Sequence, residues 1–418
     1  MDKSSSQRNI TVDILRGIAM LLVVLGHTLT GCIEDAEHNF VFNIIWALQM
    51  PLFILISGYV TKYSKPISDV KALWKVIKKR TIAYMLPWLI WTFGVRGLVL
   101  GHYEYLNLKW LAYHMDSGYW FLFTIWVISF IYSTSVYIAN KVNKEDEIKN
   151  VVAFAVSYGC FSLIVLGVGL LLGFSFLGTK LTMYYLPFYF CGVIFGRYQH
   201  LIEKHQGIKD VSIALALIVF ISIISRFYLY GLDETIGEIL IRIIASISGC
   251  IAICGLVGPL CKKSTQIIWG GVRLYRNSFI GNIPDALYTS VSDKTYSGEH
   301  DRINLDSNSK LFNNRITMCS DSCLNGAEQS SCENNIWKRN KTLELLNYFG
   351  RTSLEVYLLH GLVLCPIKTT AAYTLQQAGG MALVTSNFIL TMGIVFIVIK
   401  LLEGNKIAQK VLFGKSGN

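Results

Sequence analysis

Arg16 and His27 are the residues of the first apolar segment that could take part in chemistry. The segment, ITVDILRGIAMLLVVLGHTLTG at 10–31, is otherwise largely apolar. The two residues are 11 positions apart, which is about three helical turns, so both side chains point to one face and lie ~16 Å apart along the axis. Arginine carries a permanent positive charge, and imidazole, with an unperturbed pKa of about 6.5, can accept and return a proton. The spacing therefore predicts a polar passage along this face.

A purely structural interpretation of the pair is also open. Exposing an arginine to lipid at mid-depth costs at least ~2.5 kcal/mol, so intramembrane charges normally face a bundle interior or a hydrated cavity. Arg16 could instead extend to the headgroups with help from Asp13, while His27 bonds to interfacial water. Because Arg16 and His27 lie on one face of the helix, the polar passage is the favoured interpretation.

Other residues in or beside the apolar segments are candidates for binding substrate: Ser57, Arg80, His114, Tyr119, Trp120, Glu355 and His360. Each also has a simpler interpretation. Ser57 lies in a small-residue stretch that favours close helix packing, and 114–123 is typical of an aromatic belt at the outer interface. Arg351 and Glu355, four positions apart, predict an ion pair. A bond from His360 to a backbone carbonyl or a serine is as good an interpretation as catalysis.

The elements that must position these residues are membrane helices. Of 418 residues, 53% are hydrophobic and 16% charged, which predicts an all-α integral membrane protein. Segments long enough to cross ~30 Å of hydrocarbon recur about ten times. They lie at 10–31, 40–61, 81–100, 119–139, 151–174, 181–196, 211–230, 237–259, 351–367 and 381–402. Pro87 inside the third segment frees a backbone carbonyl and predicts a bend.

The lysines and arginines predict the orientation of the chain. They concentrate in the even-numbered loops, most densely at 62–80, and are nearly missing from the odd-numbered ones. Positive residues stay on the cytoplasmic side, so we expect both termini there, in a bacterial plasma membrane. The net charge of +11 then reflects topology and attraction to anionic membrane lipid, and no motif indicates nucleic-acid binding.

Residues 265–342 interrupt the pattern of apolar segments. This stretch is polar, rich in Ser and Asn, and without sustained periodicity, which predicts a loosely structured cytoplasmic insertion. We therefore expect one transmembrane domain over 8–402 that contains this insertion, followed by a cytoplasmic tail at 403–418. Three cysteines of the insertion lack the spacing of a zinc site, so we expect no metal.

Six stretches resemble, in order and spacing, the membrane-bound acyltransferase-3 family. They are RNITVDILRGIAMLLVVLGH (8–27), PLFILISGYV (51–60), RTIAYMLPW (80–88), YWFL (119–122), YLPFYFCGVIFGR (185–197) and YFGRTSLEVYLLHG (348–361). The most specific element is an arginine, ten intervening residues and a histidine, matched by Arg16 and His27. The family often has a second arginine just before helix three, where this chain reads KKRTIAY with Arg80 as an approximate match. The insertion at 265–342 is not part of the common pattern.

The resemblance implies ten helices and transfer of an acyl group, usually acetyl, from cytoplasmic acyl-coenzyme A to a sugar hydroxyl of a lipid-linked or cell-surface glycan. Acetyl-coenzyme A is then the donor substrate, and no bound cofactor is expected. His27 would act as the general base or carry the acyl group, and Arg16 would bind the donor's phosphates or thioester oxygen. Arg80 and the lysines at 71–79 would attract the donor, and Tyr119, Trp120 and His114 would orient the sugar.

Two other classes of function stay open. A transporter or flippase would use the same arginine and histidine for binding or proton relay, although the sequence shows no internal repeat. A receptor-like protein would recruit partners through 265–342.

Overall fold

The computed structural model describes residues 9–143, 145–232, 235–280, 341–367 and 373–415. Within these ranges all regular structure is helical. The helices are α1 Ile10–Cys32, α2 Phe40–Tyr59, α3 Val70–Leu89, α4 Leu108–Tyr113, α5 Trp120–Val142, α6 Glu147–Leu172, α7 Thr179–Lys204, α8 Gln206–Ile224, α9 Ile236–Ile280, α10 Lys341–Arg351, α11 Ser353–Ile367, α12 Ala378–Glu403 and α13 Lys406–Phe413.

Among the described helices, eight are long and apolar enough to cross a membrane. They are Ile10–Cys32, Phe40–Tyr63, Val70–Val99, Trp120–Val142, Glu147–Leu172, Gly207–Ile224, Ile236–Gly258 and Ala378–Glu403. The segments expected at 181–196 and 351–367 fall in α7 and α11, which are outside these eight. The chain is thus a helical, multi-pass membrane protein, as expected. The count of about ten spans stays a prediction, as does the placement of both termini.

Short polar side chains begin several of the helices. Asp69 accepts a bond from the backbone of Ala72 at the start of α3, and Asp146 does the same for Lys149 at α6. An N-cap carboxylate satisfies amide groups that have no partner within the helix. These backbone bonds lower the pKa of both carboxyl groups.

Helices α1 and α2 form the centre of the bundle, whereas α6 and α8 lie at its edge. The apolar windows of α1 and α2 are 56% and 72% buried, against 11% and 17% for α6 and α8. Helix α1 packs against α2, α11 and α12. Within this packing Arg16 is half-buried, whereas the side chain of His27 is exposed.

The contact between α2 and α7 is close because glycines face backbone. A methyl group on Gly58 would lie 2.2 Å from the carbonyl oxygen of Tyr189, and one on Gly192 would lie 2.0 Å from that of Leu55. Only glycine permits such an approach, as in other membrane helix pairs. The predicted packing role of the 57–58 stretch therefore belongs to Gly58.

Helix α3 continues beyond Pro87 as a π-helix, Ile90–Val99. Proline lacks the N–H that would bond to the carbonyl of Ala83, so the α-helical hydrogen-bond pattern is interrupted here. Gly414, just beyond α13, packs against that carbonyl, and Trp91 donates from Nε1 to the carbonyl of Leu412 at 2.8 Å. The irregularity predicted from Pro87 is a change of helix type that α13 covers.

Helices α1 and α11 run side by side in the same direction. The backbone of Gly350, just before α11, contacts that of Asp13, and His360 faces His27 further along. The first turns of both helices therefore lie at the same end of the bundle.

Contacts divide the chain into two compact units, Met1–Gly255 with Tyr348–Asn418, and Leu256–Asn347. Helix α9 continues to Ile280, so 265–280, expected to begin a loosely structured insertion, is helical. Apolar residues at 268, 272, 275 and 279 recur at helical intervals, which explains this difference. Residues 281–340, with the three cysteines of the insertion, lie outside the described part.

Candidate active site

A cavity of about 480 Å³ collects four of the predicted site residues. They are His27 from α1, His360 from α11, and Tyr119 and Trp120 at the start of α5. We call it the histidine cavity. Its lining also includes polar residues from the loop before α5, among them Asp116.

The two imidazoles of the histidine cavity face each other. The ring centroids of His27 and His360 are 5.3 Å apart at an angle of 32°. His360 is buried, and its Nδ1 lies 3.0 Å from the carbonyl oxygen of Val356. Because a carbonyl can only accept, this nitrogen carries the proton and Nε2 keeps its lone pair. His360 therefore makes the predicted backbone bond and still faces the cavity beside His27.

Aromatic rings form one wall of the histidine cavity. Trp120 stacks on Tyr185 with centroids 5.5 Å apart and planes 16° apart. Tyr119 contacts Trp91 and Tyr357 edge to face and donates from its hydroxyl to the carbonyl of Leu358 at 3.4 Å. Because this wall is anchored through α5 and α11, it offers a fixed flat surface to a ring-shaped ligand.

A smaller cavity, about 120 Å³, holds the predicted arginine. Arg16, Ser57 and Tyr84 line it, and we call it the arginine cavity. Asp13 lies 3.9 Å from the Arg16 guanidinium, and its own side chain is almost fully buried. Ser57 donates its hydroxyl to the carbonyl of Phe53 at 2.8 Å.

Met50 and Tyr357 line both cavities. The sequence predicts one passage with Arg16 and His27 on its wall. The structure places His27 in the histidine cavity and Arg16 in the arginine cavity, and the two cavities share these two side chains. That the cavities form one passage stays a prediction.

Arg80 lies outside the lining of both cavities. It donates from Nη1 to the hydroxyl of Tyr189 at 3.0 Å and lies over the ring of Tyr132. Tyr84 interacts electrostatically with both Arg80 and Arg16. Arg80 is therefore a neighbour of the arginine cavity, one residue behind its wall.

Two predicted residues lie elsewhere. His114 stacks on Trp110 with centroids 4.2 Å apart and is exposed outside both linings. Glu355 is buried and pairs with Lys415 beyond α13, while Arg351 is exposed, so the expected Arg351–Glu355 pair is wrong. The helix is interrupted between α10 and α11, and the chain after α13 brings in a lysine that no local spacing could predict.

The residues of the histidine cavity that were not predicted include Gln49 on α2, Arg96 on the π-helix and Arg242 on α9. All three fall inside apolar segments recognisable from the sequence. The cost of a charge in a membrane span, which singled out Arg16, applies equally to Arg96 and Arg242 and would have found them. Among the described residues, no group of three His, Cys, Asp or Glu side chains could hold a metal ion.

The profile of the acyltransferase-3 family, described as an acyltransferase domain, matches residues 9–283. The chain belongs to this family. The match confirms the resemblance carried by the Arg16–His27 spacing. No solved structure matches significantly.

Two curated proteins are similar to parts of the chain. Nodulation protein NolL of Sinorhizobium fredii is 28% identical over 137 residues, covering 29% of this chain and 35% of that protein. Nodulation protein NolL of Mesorhizobium japonicum is 26% identical over 228 residues, covering 51% of this chain and 56% of that protein. The chain therefore spans little more than half the length of these relatives at most.

Proposed function

We propose that the protein is a membrane O-acyltransferase that moves an acyl group, usually acetyl, from acyl-coenzyme A to a sugar hydroxyl of a lipid-linked or cell-surface glycan. The observation that carries the proposal is the juxtaposition of two facing imidazoles in one cavity with a permanent cation in the next. Family membership supports acyl transfer as the reaction.

In the proposed reaction the sugar hydroxyl attacks the thioester carbon. His27 accepts the hydroxyl proton as the new C–O bond forms, and the C–S bond then breaks. The proton passes to the departing thiolate, giving an O-acyl sugar and free coenzyme A. His360 lines the same cavity, and its Nε2 lone pair accepts a hydrogen bond from a second hydroxyl of the sugar.

Arg16 serves the donor in this scheme. Negative charge develops on the thioester oxygen in the transition state, and a fixed cation aimed at that oxygen stabilises it. The exposed lysines at 71, 75, 78 and 79, in the first three turns of α3, attract the polyanionic coenzyme. The aromatic wall formed by Trp120 and Tyr185 orients the acceptor sugar.

The proposal includes the sidedness of the chain. We place both termini in the cytoplasm of a bacterium and the histidine cavity toward the outer face of the plasma membrane. Labelling of single engineered cysteines at exposed positions 34 and 75 in intact cells tests this. Position 34 should react with a membrane-impermeant maleimide and position 75 should not; the reverse pattern would contradict the arrangement.

The activity is tested with membranes that contain the full chain, labelled acetyl-coenzyme A and an extract of surface glycan. Label should enter the glycan as an alkali-labile ester, and the glycan of a deletion strain should lack the corresponding mass. An unmodified but mislocalised glycan in the deletion strain would instead support transport.

A further inference from the structure

The histidine cavity contains two arginines that the proposed mechanism does not use. Arg96 enters it from the π-helix and Arg242 from α9. Among the described residues of the lining, Asp116 is the one acidic side chain, and His27, His102 and His360 provide imidazoles. With neutral imidazoles these residues carry two positive charges against one negative charge.

Both arginines are held in place by aromatic rings. The guanidinium of Arg96 lies 5.0 Å from the ring centre of Tyr105, and that of Arg242 lies 4.5 Å from that of Tyr184. Gly118, with φ of +69°, lets the loop before α5 approach Arg96, since a methyl group there would lie 3.1 Å from its Nη1. Fixed guanidinium groups are suited to binding planar or tetrahedral oxyanions.

Gln49 provides a second, independent sign of a ligand. Its side chain lines the same cavity, is 7% exposed, and its Oε1 has no hydrogen-bond partner. A buried acceptor without a donor costs free energy unless a ligand or water supplies one. A sugar hydroxyl is such a donor.

The arginines of this cavity are distant from the donor-attracting lysines. Lys71 and Arg96 are 25 positions apart on one continuous helical segment, which corresponds to roughly 35 Å. The two positive regions therefore lie at opposite ends of the bundle and are suited to different ligands.

We infer that the histidine cavity binds an acceptor that carries an oxyanion, a carboxylate or a phosphate, on or next to the acylated sugar. Arg96 and Arg242 bind the oxyanion, and Gln49 accepts a bond from a hydroxyl. The inference rests on the proposed function in one respect, namely that the bound sugar is the acceptor of the acyl group. The anion comes from a uronate sugar or from the phosphate of a lipid-linked sugar.

The test uses the full chain in nanodiscs of uncharged lipid and reads binding from tryptophan fluorescence, since Trp46 and Trp120 line the cavity. One arm compares methyl glucuronide with methyl glucoside. The other compares a prenyl phosphate-linked glucose with an alkyl glucoside. We expect the anionic member of one pair to bind about tenfold more tightly; the responding pair identifies the source of the anion.

Variants show which residues cause the preference for the anionic sugar. Arg96→Gln and Arg242→Gln should each reduce this preference severalfold. Arg96→Lys should retain part of it, which shows that a variant at this position still folds. Arg226→Gln is the matched control, because Arg226 is exposed beyond α8 and outside this lining. Gln49→Leu should weaken the binding of anionic and neutral sugars by the same factor.

Equal binding within both pairs would overturn the inference. So would an Arg96→Gln variant that loses coenzyme A binding while keeping its sugar preference. A transfer assay separates this inference from the proposed function. If transfer depends on His27 but binding shows no preference for the anion, the proposed function is supported and the anion site is overturned. If the anion is preferred but no transfer occurs, the anion site is supported and the proposed function is overturned.

Discussion

The arginine cavity holds one cation among mostly apolar and aromatic side chains, whereas the histidine cavity, four times as large, combines imidazoles, arginines, an amide and a carboxylate. Both are lined by α1, and both include Met50 and Tyr357. A small cavity with one fixed charge suits a single reacting group, while a large one with varied polar atoms suits a sugar. Under the proposed function, one helix then serves two substrates.

The strongest test of this contrast removes the imidazole of α1. His27→Ala should reduce acyl transfer by ~10² to 10⁴-fold, because the proposed general base is then missing. The measurement is label transfer from acetyl-coenzyme A at equal protein levels in membranes. His38→Ala, at an exposed histidine outside both cavities, should keep full activity. A fully active His27→Ala protein would contradict the proposed chemistry.

Substitutions of Arg16 should change the kinetics for the donor and leave those for the acceptor unchanged. Arg16→Ala should lower kcat by ~10² to 10³-fold through loss of charge stabilisation, and Arg16→Lys should fall between it and wild type because the planar fork is lost. Initial rates measured against each substrate separate the two effects. If Arg16→Lys changes the acceptor KM and spares the donor KM, the assignment of cavities is reversed.

The region behind the arginine cavity should affect stability rather than selectivity. Lys415→Met leaves the buried carboxylate of Glu355, next to Leu354 of the cavity wall, without its partner. We expect a loss of about 1–3 kcal/mol in the free energy of unfolding, measured by denaturation in detergent. Lys410→Met, at an exposed position of α13, is the control. A shifted acceptor KM with unchanged stability would contradict a structural role.

The aromatic wall should give the smallest effect. Trp120→Ala should raise the acceptor KM about fivefold, equivalent to ~1 kcal/mol of lost ring contact, without changing the donor KM. Trp74→Ala, at an exposed tryptophan of α3, provides the comparison. An unchanged acceptor KM would place the sugar elsewhere in the histidine cavity.

Much of the architecture could be predicted because membrane segments are defined locally. Length and apolarity decide which segments can span a bilayer, and the helices at Ile10–Cys32 and Ala378–Glu403 match the predicted ones closely. The pairing of Arg16 with His27 followed from helical geometry alone. The extension of α9 to Ile280 was missed because its polar residues outweighed a helical spacing that was present.

Only the tertiary structure decided which residues share a cavity. His360 faces His27 because α11 runs alongside α1, and Lys415 reaches Glu355 because α13 packs on α3. These contacts join positions far apart in the chain, and helical periodicity carries information over only a few turns. The sequence by itself determined that a cation and an imidazole lie on one membrane helix. The packing of other helices around α1 decided that the two residues line different cavities, which share Met50 and Tyr357.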